Sequence, residues 1–446
     1  MSGYILNTES QKHEMLTEAG FSGIEDLFSG IPESIRLKRR LDIPEAMSEM
    51  ELAAHMRELA GKNCNTADYA CFLGAGAYDH YIPSIVNHIL SRQEFYTAYT
   101  PYQPEISQGT LQAIFEYQSM ICMLTGMDVA NASMYDGASA LAEAASMACG
   151  ALKRTGILAS AGIHPESREV LKTYSRFNGN QVTEFGCRDG KADLEELEGA
   201  LTPDTAAVIL QTPNFFGIIE EVGKIAELVH KNKSLLIVSC DPISLAILKP
   251  PGELGADIAV GEGQPLGSPL GFGGPYLGFF AVRSELMRKM PGRIVGETVD
   301  RNGRRAFTLT MQTREQHIRR EKATSNICSN QALNALAATV YLTAMGREGL
   351  KKVAALCARK AHYAYMELIK TGLFSPVFNA PFFKEFAVRY RGDISKLNRG
   401  LLKERILGGY DLGGRYGELK NCWLLAVTEK RTKEEIDRLV GKVAEL

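Results

Sequence analysis

The sequence predicts an α/β protein whose large domain is built on a mainly parallel sheet. The chain has 446 residues, enough for two or three domains with a substantial core. Its composition is that of an ordinary globular protein, with 45% hydrophobic and 23% charged residues. In the middle of the chain, short apolar runs alternate with helix-like stretches. That pattern is typical of βαβ units, whose parallel sheet is buried on both faces.

Residues 1–65 are predicted to form an N-terminal helical arm. Short helical patterns are interrupted there by Gly20, Gly30, Pro32 and Pro44. The basic run Arg36-Leu-Lys-Arg-Arg40 is interpreted as a solvated helix face, with contact to an acidic partner as the alternative.

Residues 66–325 are predicted to form the large α/β domain. Apolar residues recur at helical spacing from Leu111 to Leu124, which indicates a helix. A second helix is expected from Gly137 to Cys149, with Asp136 as its N-cap. Buried strands are expected at Gly156–Ala161, Gln181–Phe185, Ala206–Leu210, Leu235–Ser239, Asp257–Val260 and Leu277–Val282.

Residues 326–446 are predicted to form a smaller α+β domain. An Ala- and Leu-rich stretch from Asn330 to Thr343 indicates a long helix. Strand patterns follow at Glu385–Arg391 and Cys422–Thr428.

Charge and motif content exclude several classes of function. Fifty Lys and Arg against 52 Asp and Glu give a formal charge of −2, without the basic excess of a nucleic-acid binder. No apolar run approaches the length of a membrane helix. The nine Cys form no CxxC pair, and the eight His show no HExxH spacing. We therefore expect a cytoplasmic protein without a metal site and without nucleic-acid or membrane partners.

Ligands of an open parallel sheet bind beyond the carboxyl ends of its strands, so the strand exits are the places to search. The run Gly261 to Gly267 has GxGxxxG spacing, and the prolines that follow prevent a helix, so a dinucleotide site is rejected; a P-loop motif is also missing. The helix start at Gly137 offers backbone N–H groups that can hold a phosphate. The neighbouring Asp136 would repel a phosphate, which favours a self-capped structural helix.

Asp241 follows the strand pattern that ends at Ser239. In enzymes that use pyridoxal phosphate on this kind of sheet, an Asp so placed pairs with the pyridinium nitrogen. Such an enzyme also needs a Lys one strand later, because only an amine can hold the aldehyde covalently. No Lys stands at that exit, although Lys249 precedes the strand. Asp241 alone is therefore weak evidence.

Five segments together resemble the P-protein family of the glycine cleavage system, the decarboxylating glycine dehydrogenases. They are Phe72-Leu-Gly-Ala-Gly-Ala-Tyr78, Tyr99-Thr-Pro-Tyr-Gln-Pro-Glu-Ile-Ser-Gln-Gly109, Ala130-Asn-Ala-Ser133, Met290-Pro-Gly-Arg-Ile294 and Gln312-Thr-Arg-Glu-Gln-His-Ile-Arg-Arg-Glu-Lys-Ala-Thr-Ser-Asn-Ile-Cys328. The resemblance extends over nearly the whole chain. In this family two related halves form one long chain or separate subunits, and the present chain is similar to the N-terminal half.

The resemblance implies a fold type I pyridoxal-phosphate architecture and a reaction in which glycine loses CO2 and its aminomethyl group passes to the lipoyl arm of the H-protein. It also implies that the cofactor Lys belongs to the other half, subunit 2, which binds pyridoxal phosphate covalently. The corresponding position here is Gln264, or Pro265 if the alignment slips by one residue. Where Asp136 stands, the other half has Ser. Asp136, Gly137, Asp241 and Gln264 would thus form a degenerate cofactor pocket, and the chain would be inactive alone.

Sites of this fold type are assembled at a dimer interface, so the chain can still complete the pocket of its partner. The candidate contributors, taken from the matching motifs, are Thr324, Lys322, Asn326, Arg319, Tyr99, Tyr102, Gln103 and Glu105. Thr324 resembles the neighbour-chain hydroxyl that reaches the cofactor phosphate, and Arg319 or Lys322 would offset phosphate or carboxylate charge. The other four candidates would line the route of the lipoyl arm or substrate; they are Tyr99, Tyr102, Gln103 and Glu105.

Each candidate also has a structural interpretation: interface packing for the tyrosines, helix capping for Glu105, and surface ion pairs for the basic residues. The resemblance implies an α2β2 assembly with subunit 2. Two other functions stay open, a stand-alone pyridoxal-phosphate lyase or aminotransferase with a displaced Lys such as Lys249, and a scaffold that only stabilises a partner.

Overall fold

The computed structural model describes residues 5–323, 325–327 and 329–446. Internal contacts divide the chain into a unit of residues 1–64 and a unit of residues 65–446. The predicted boundary between a large and a small domain near residue 325 falls inside the second unit and stays a prediction.

The N-terminal unit has helices Glu9–Glu18 and Glu49–Ala60, each begun by a capping box. The 3-10 turns Ile24–Phe28 and Glu33–Ile35 lie between them. No residue from 5 to 64 is buried, so this unit has no core of its own. The basic run Arg36–Arg40 is irregular backbone, which corrects the predicted helix face. The run is short and has no packed apolar side, and such a segment does not hold a helix by itself.

A seven-stranded sheet is the centre of the second unit. Its strands are Val129–Ala130, Gly156–Ser160, Gln181–Phe185, Thr205–Thr212, Leu235–Cys240, Ile258–Glu262 and Gly278–Val282. Named by first residue, their spatial order is Val129, Gly278, Ile258, Leu235, Thr205, Gly156, Gln181. The last five pair in parallel. All six predicted strands are confirmed in position within two residues at either end. The predicted burial is wrong for Gln181–Phe185, where only Phe185 is buried, because this strand lies at the edge of the sheet.

Strand Gly278–Val282 is antiparallel to both of its neighbours. It follows Ile258–Glu262 through a loop without a crossover helix, and only a crossover would return the chain in the parallel sense.

Helices cover the sheet. The two predicted ones span Gln108–Thr125 and Gly137–Leu152. Ala140, Ala144 and Ala148 are fully buried and let the second helix approach the strands closely. The remaining elements of this region are the helices Ser84–Leu90, Gln93–Tyr96, Pro165–Asn178, Leu194–Ala200, Val222–Lys231 and Gln316–Arg319, and the hairpins Cys187–Arg188 with Lys191–Ala192 and Ile294–Val299 with Arg305–Thr310.

The C-terminal part begins with the long helix Ala332–Lys370, which extends well past the predicted end at Thr343. Gly346 breaks it with a φ of 58°, a conformation that favours glycine. A four-stranded antiparallel sheet follows, in the spatial order Phe374–Pro376, Glu385–Tyr390, Cys422–Ala426, Tyr410–Asp411. Helices Ile394–Lys403 and Lys433–Glu445 accompany it, and strand Ala70–Cys71 pairs with Ile406–Leu407. Within the described residues, no helix is long and apolar enough to cross a membrane.

Candidate functional site

A cavity of about 330 Å³ lies at the carboxyl ends of the parallel strands. Three of the predicted pocket residues, Asp136, Gly137 and Asp241, line it. Its other charged side chains include the acidic Glu166, Glu262 and Glu385 and the basic Lys384. The lining is therefore rich in carboxyl groups, the opposite of what an anionic ligand requires.

Asp241 already has a cationic partner. Its Oδ2 lies 2.6 Å from Nζ of Lys384, whose side chain is only 2% exposed. The same Nζ lies 3.0 Å from Nε2 of His80 and 3.7 Å from the ring centroid of Tyr78. A carboxylate, an imidazole nitrogen and an aromatic face thus surround one buried ammonium group.

The sequence pattern did not indicate Lys384, because a cofactor lysine is expected at the exit of a parallel strand. Lys384 instead immediately precedes Glu385–Tyr390, a strand of the small antiparallel sheet. A signal was present: Lys384 and Glu385 are two adjacent charges inside an apolar stretch, Phe382 to Val388. Buried charges in such a position require partners.

A hydrogen-bond chain continues behind Lys384. Nδ1 of His80 lies 2.7 Å from Oε2 of Glu429, and the thiol of Cys357 lies 3.4 Å from the same oxygen. Burial, reinforced by the charge of Lys384, lowers the pKa of His80 and keeps its imidazole neutral. Lys384 therefore donates to Nε2 of His80, and Nδ1 carries the proton that His80 donates to Glu429.

His80, Cys357 and Glu429 are the one group in the described part of the chain whose ligating atoms lie close enough to share a metal ion. A metal at Nδ1 of His80 would require a proton on Nε2, where Lys384 already donates. The hydrogen-bond arrangement therefore disfavours a metal ion at this place.

Two carboxyl groups occupy the helix start at Gly137. Asp136 is the N-cap, as predicted, and its Oδ1 accepts a hydrogen bond of 2.7 Å from the backbone N–H of Ser139. Oε2 of Glu262 accepts one of 3.0 Å from the N–H of Gly137. Oε1 of Glu262 accepts from the N–H groups of Gln264 and Leu277, both at 3.0 Å. Two of the first-turn N–H groups that would hold a phosphate, those of Gly137 and Ser139, are thus used internally.

Glu262 is the last residue of its strand, and nothing in the sequence marked it beyond that position. Burial raises its pKa to about 7 in spite of the three backbone hydrogen bonds.

Gln264 is a structural residue in this fold. It is 1% exposed, and its Oε1 accepts from the N–H of Tyr78 at 3.0 Å. Its Nε2 donates to the carbonyl oxygens of Tyr78, at 3.1 Å, and Ser268, at 2.8 Å. The side-chain amide therefore fixes the Tyr78 segment that walls the cavity. Pro265, the alternative position, lines the cavity directly.

The cavity does not fit pyridoxal phosphate. A phosphate would meet Asp136 and Glu262, and a pyridinium ring would compete with Lys384 for Asp241. Lys384 would not serve as a cofactor lysine, since it is paired with Asp241, the carboxylate that would face the ring nitrogen of pyridoxal phosphate, whereas the aldehyde is para to that nitrogen. Lys249 is exposed and does not line the cavity.

Glu385 closes the cavity from the side of the small sheet. Its carboxyl oxygens accept hydrogen bonds from the N–H of Ala75, at 2.6 Å, and from the hydroxyl of Tyr78, at 2.8 Å. Burial raises the pKa of Glu385 to about 7, and these hydrogen bonds only partly oppose that rise.

The residues predicted to serve a partner lie elsewhere. Tyr99 is 83% exposed, and Gln103 and Glu105 are also exposed. Tyr102 accepts a 2.9 Å hydrogen bond from Nη2 of the buried Arg293, and its ring contacts that of His317.

The second predicted group is also at the surface. Arg319, Lys322 and Asn326 are exposed, and Nε of Arg319 donates to the carbonyl of Thr313 at 3.1 Å. Thr324 lies outside the described residues. Among the described side chains, no hydrogen bond or ion pair joins residues 99–105 to residues 319–326, so a common role stays a prediction.

Comparison with known proteins identifies the family. Residues 2–443 match the model described as glycine cleavage system P-protein. A relative from Carboxydothermus hydrogenoformans, named probable glycine dehydrogenase (decarboxylating) subunit 1, is 57% identical over 437 residues, which cover 98% of both chains. A relative of the same name from Bacillus licheniformis is 56% identical over 442 residues, or 99% of this chain and 98% of that one.

Solved structures agree with the sequence relatives. A glycine decarboxylase (P-protein) of the glycine cleavage system, solved in an inhibitor-bound form, superposes with a TM-score of 0.92 at 43% identity and 99% coverage of both chains. A sphingosine-1-phosphate lyase from Burkholderia pseudomallei, at 15% identity, covers 93% of this chain and 94% of that one with a TM-score of 0.67, and shares the fold alone. The predicted fold type I class is confirmed, and the chain belongs to the glycine cleavage system P-protein family.

Proposed function

We propose that this chain is the subunit of a heteromeric glycine decarboxylase that does not carry the cofactor lysine. Together with a lysine-bearing subunit 2, it would decarboxylate glycine and transfer the aminomethyl group to the lipoyl arm of the H-protein, in the cytoplasm. Pyridoxal phosphate would be bound covalently by the partner, and this chain would be inactive alone.

The observation that carries this proposal is the closed cavity at Asp241. The resemblance assigns the reaction of this family to pyridoxal phosphate. In this chain Lys384 forms an ion pair with Asp241, and the Glu262 carboxyl accepts a hydrogen bond from the helix start at Gly137. Gln264, near the position expected for the lysine, is hydrogen-bonded to the Tyr78 segment. Asp241 is then a relict of a duplicated cofactor site. A chain with such a cavity needs a second chain for the chemistry.

The exposed apolar side chains of the N-terminal unit support the proposal that this chain binds a partner chain. Large apolar side chains there are solvent-exposed, among them Leu6 at 93%, Ile35 at 73% and Met50 at 79%. Exposed apolar surface on this scale is typical of protein contacts. The basic run Arg36–Arg40 lies between exposed Ile35 and Leu41, so the complementary surface would combine apolar and acidic residues.

The partner-facing residues would supply positioning and charge rather than covalent chemistry. Tyr102 is held by Arg293, so its hydroxyl has a fixed place. Lys322 is exposed and able to neutralise an anionic group of the partner site. Thr324 would supply a hydroxyl to that site.

Reconstitution tests the proposal. The chain is mixed with subunit 2 and lipoylated H-protein, and decarboxylation of glycine and affinity for pyridoxal phosphate are measured for the parent, Thr324→Ala and Lys322→Ala. We expect each substitution to lower the decarboxylation rate and the affinity for pyridoxal phosphate about tenfold, the effect of losing one charge-assisted hydrogen bond, while the complex stays intact. Lys351→Ala, an exposed charge on the long helix, is the matched control and should behave as the parent.

Two outcomes would redirect the assignment. If both variants keep full activity and cofactor affinity in an intact complex, the chain is a scaffold. If borohydride reduction of the chain alone with pyridoxal phosphate traps a lysine adduct, the chain is a stand-alone enzyme.

A further inference from the structure

A second cavity of about 260 Å³ lies away from Asp241. It is bounded by Tyr99 and Pro101, the helix Gln108–Thr125, Arg293, and the first turn of the helix Ala332–Lys370. Most of the wall is apolar, including Ile114, Leu309 and Leu336. Among the described lining residues Arg293 is the one charged side chain. A mostly apolar wall with few polar groups is typical of a small-molecule site.

Arg293 is the first of two groups that attract an anion. It is 6% exposed, and among the described residues its guanidinium makes one hydrogen bond, from Nη2 to the hydroxyl oxygen of Tyr102. Its Nε is buried without a hydrogen-bond partner. The nearest carboxylate oxygen, Oε2 of Glu315, is 3.6 Å from Nε, too far for a hydrogen bond. A guanidinium has five N–H donors, so most of its capacity is unused.

The helix start at Ala332 is the second group. Its N-cap residue, Gln331, makes no side-chain capping bond, and Ala332 and Leu333 line the cavity. The helix runs for three turns or more before the break at Gly346, so its first turn offers free N–H groups and a partial positive charge.

The charge balance indicates which anion would bind. Glu315 offsets part of the charge of Arg293 and is itself shared with His317, whose Nδ1 lies 3.4 Å from Oε2 of Glu315. The remaining positive potential suits a monoanion better than a phosphate dianion, which the Glu315 carboxylate would repel. At roughly 30 Å³ for each heavy atom, the cavity holds about eight of them.

We propose that this cavity is a binding site for a small organic monocarboxylate, with the carboxylate on Arg293 and the first turn of the helix Ala332–Lys370 and the hydrocarbon part against Ile114, Leu309 and Leu336. The inference deepens the proposed function, since Tyr99 is one of the predicted partner-facing residues. Binding itself is a property of this chain and does not depend on the partner.

Titration calorimetry of the full chain with hexanoate tests the proposal, with hexanamide and inorganic phosphate as comparison ligands. We expect hexanoate to bind saturably and both comparison ligands to bind at least tenfold more weakly, because a hydrogen bond to a charged group adds about 1.5–3 kcal/mol. Arg293→Met should weaken hexanoate binding at least tenfold. Arg305→Met, an exposed arginine on the neighbouring hairpin, should not change it.

Ala113→Phe is a second, independent test, which is needed if Arg293→Met does not fold. Ala113 lines the cavity from helix Gln108–Thr125, so a phenyl ring there fills the chamber and leaves Arg293 in place. Hexanoate binding should be lost in this variant. The proposal is wrong if hexanoate does not bind, if hexanamide binds equally well, or if Ala113→Phe binds as the parent does. None of these results bears on reconstituted decarboxylation, so the two proposals fail independently.

Discussion

Lys384→Met is the most informative perturbation of this protein. The substitution removes the ammonium group that faces Asp241 at 2.6 Å and keeps a side chain of similar length. Asp241 is then left with the backbone N–H of Ile243, at 2.9 Å, as its remaining hydrogen-bond donor in the described structure. The result is a nearly buried carboxylate without a counter-charge.

The expected cost follows from the burial of both partners. Their side chains are 2% and 13% exposed, and removing one member of such a pair costs about 3–5 kcal/mol. The bond from Ile243 and the slight exposure of Asp241 place the estimate at the lower end, about 3 kcal/mol. Replacing both partners, in Lys384→Met with Asp241→Asn, leaves no stranded charge. We therefore expect the double variant to be more stable than Lys384→Met alone, by about 2 kcal/mol.

The single Trp gives a local assay. Trp423 is fully buried and lies opposite Val388, in the strand that pairs with Glu385–Tyr390; Lys384 immediately precedes that paired strand. Urea unfolding followed by Trp423 fluorescence therefore reports on this part of the fold, with an unchanged slope as the condition for comparing free energies of unfolding. Lys433→Met, which removes an exposed ion pair with Asp437, is the control and should leave the midpoint unchanged.

The reasoning is refuted if Lys384→Met unfolds at the same urea concentration as the parent. It is also refuted if the double variant is less stable than the single one, since the ion pair would then not be the cause.

Two further predictions concern the same cavity. Burial raises the pKa of Glu385 from 4.5 to about 7, so the unfolded chain loses its proton at lower pH than the folded one, and the parent should lose stability as pH rises from 4.5 to about 7. One such group changes the free energy of unfolding by up to about 1.4 kcal/mol per pH unit. The urea midpoint of Glu385→Gln should therefore change less with pH over this window than that of the parent. Equal pH dependence of the two midpoints would contradict the assignment. Gln264→Lys should not create a cofactor site, because Lys384, Asp136 and Glu262 still occupy the cavity. This variant should be about 2–3 kcal/mol less stable, through the loss of three hydrogen bonds, and yield no borohydride-trapped adduct at position 264; a trapped adduct there would show that the cavity accepts pyridoxal phosphate after all.

The sequence alone was sufficient for the α/β class, the positions of six strands, of which all but the edge strand Gln181–Phe185 are mostly buried, and the N-cap at Asp136. These features follow from local rules: apolar runs of strand length, and a short acidic side chain before a helix. The resemblance supplied the family, and it places the expected position of the cofactor lysine at Gln264, which stays a prediction. The prediction of a helix at the basic run Arg36–Arg40 was wrong, because this short segment has no apolar side that packs against another element.

Only the tertiary structure revealed how the charges around Asp241 are paired. Lys384 lies more than a hundred residues from Asp241 in the chain, and Glu262 is just as far from Gly137, so no spacing rule connects them. The Lys384–Asp241 pair requires that the small sheet lie against the strand ends, and the Glu262–Gly137 contact requires that a helix start lie beside the end of another strand. Helices and buried strands follow from nearest neighbours along the chain, whereas buried charges are decided by which partners the fold brings within hydrogen-bond distance.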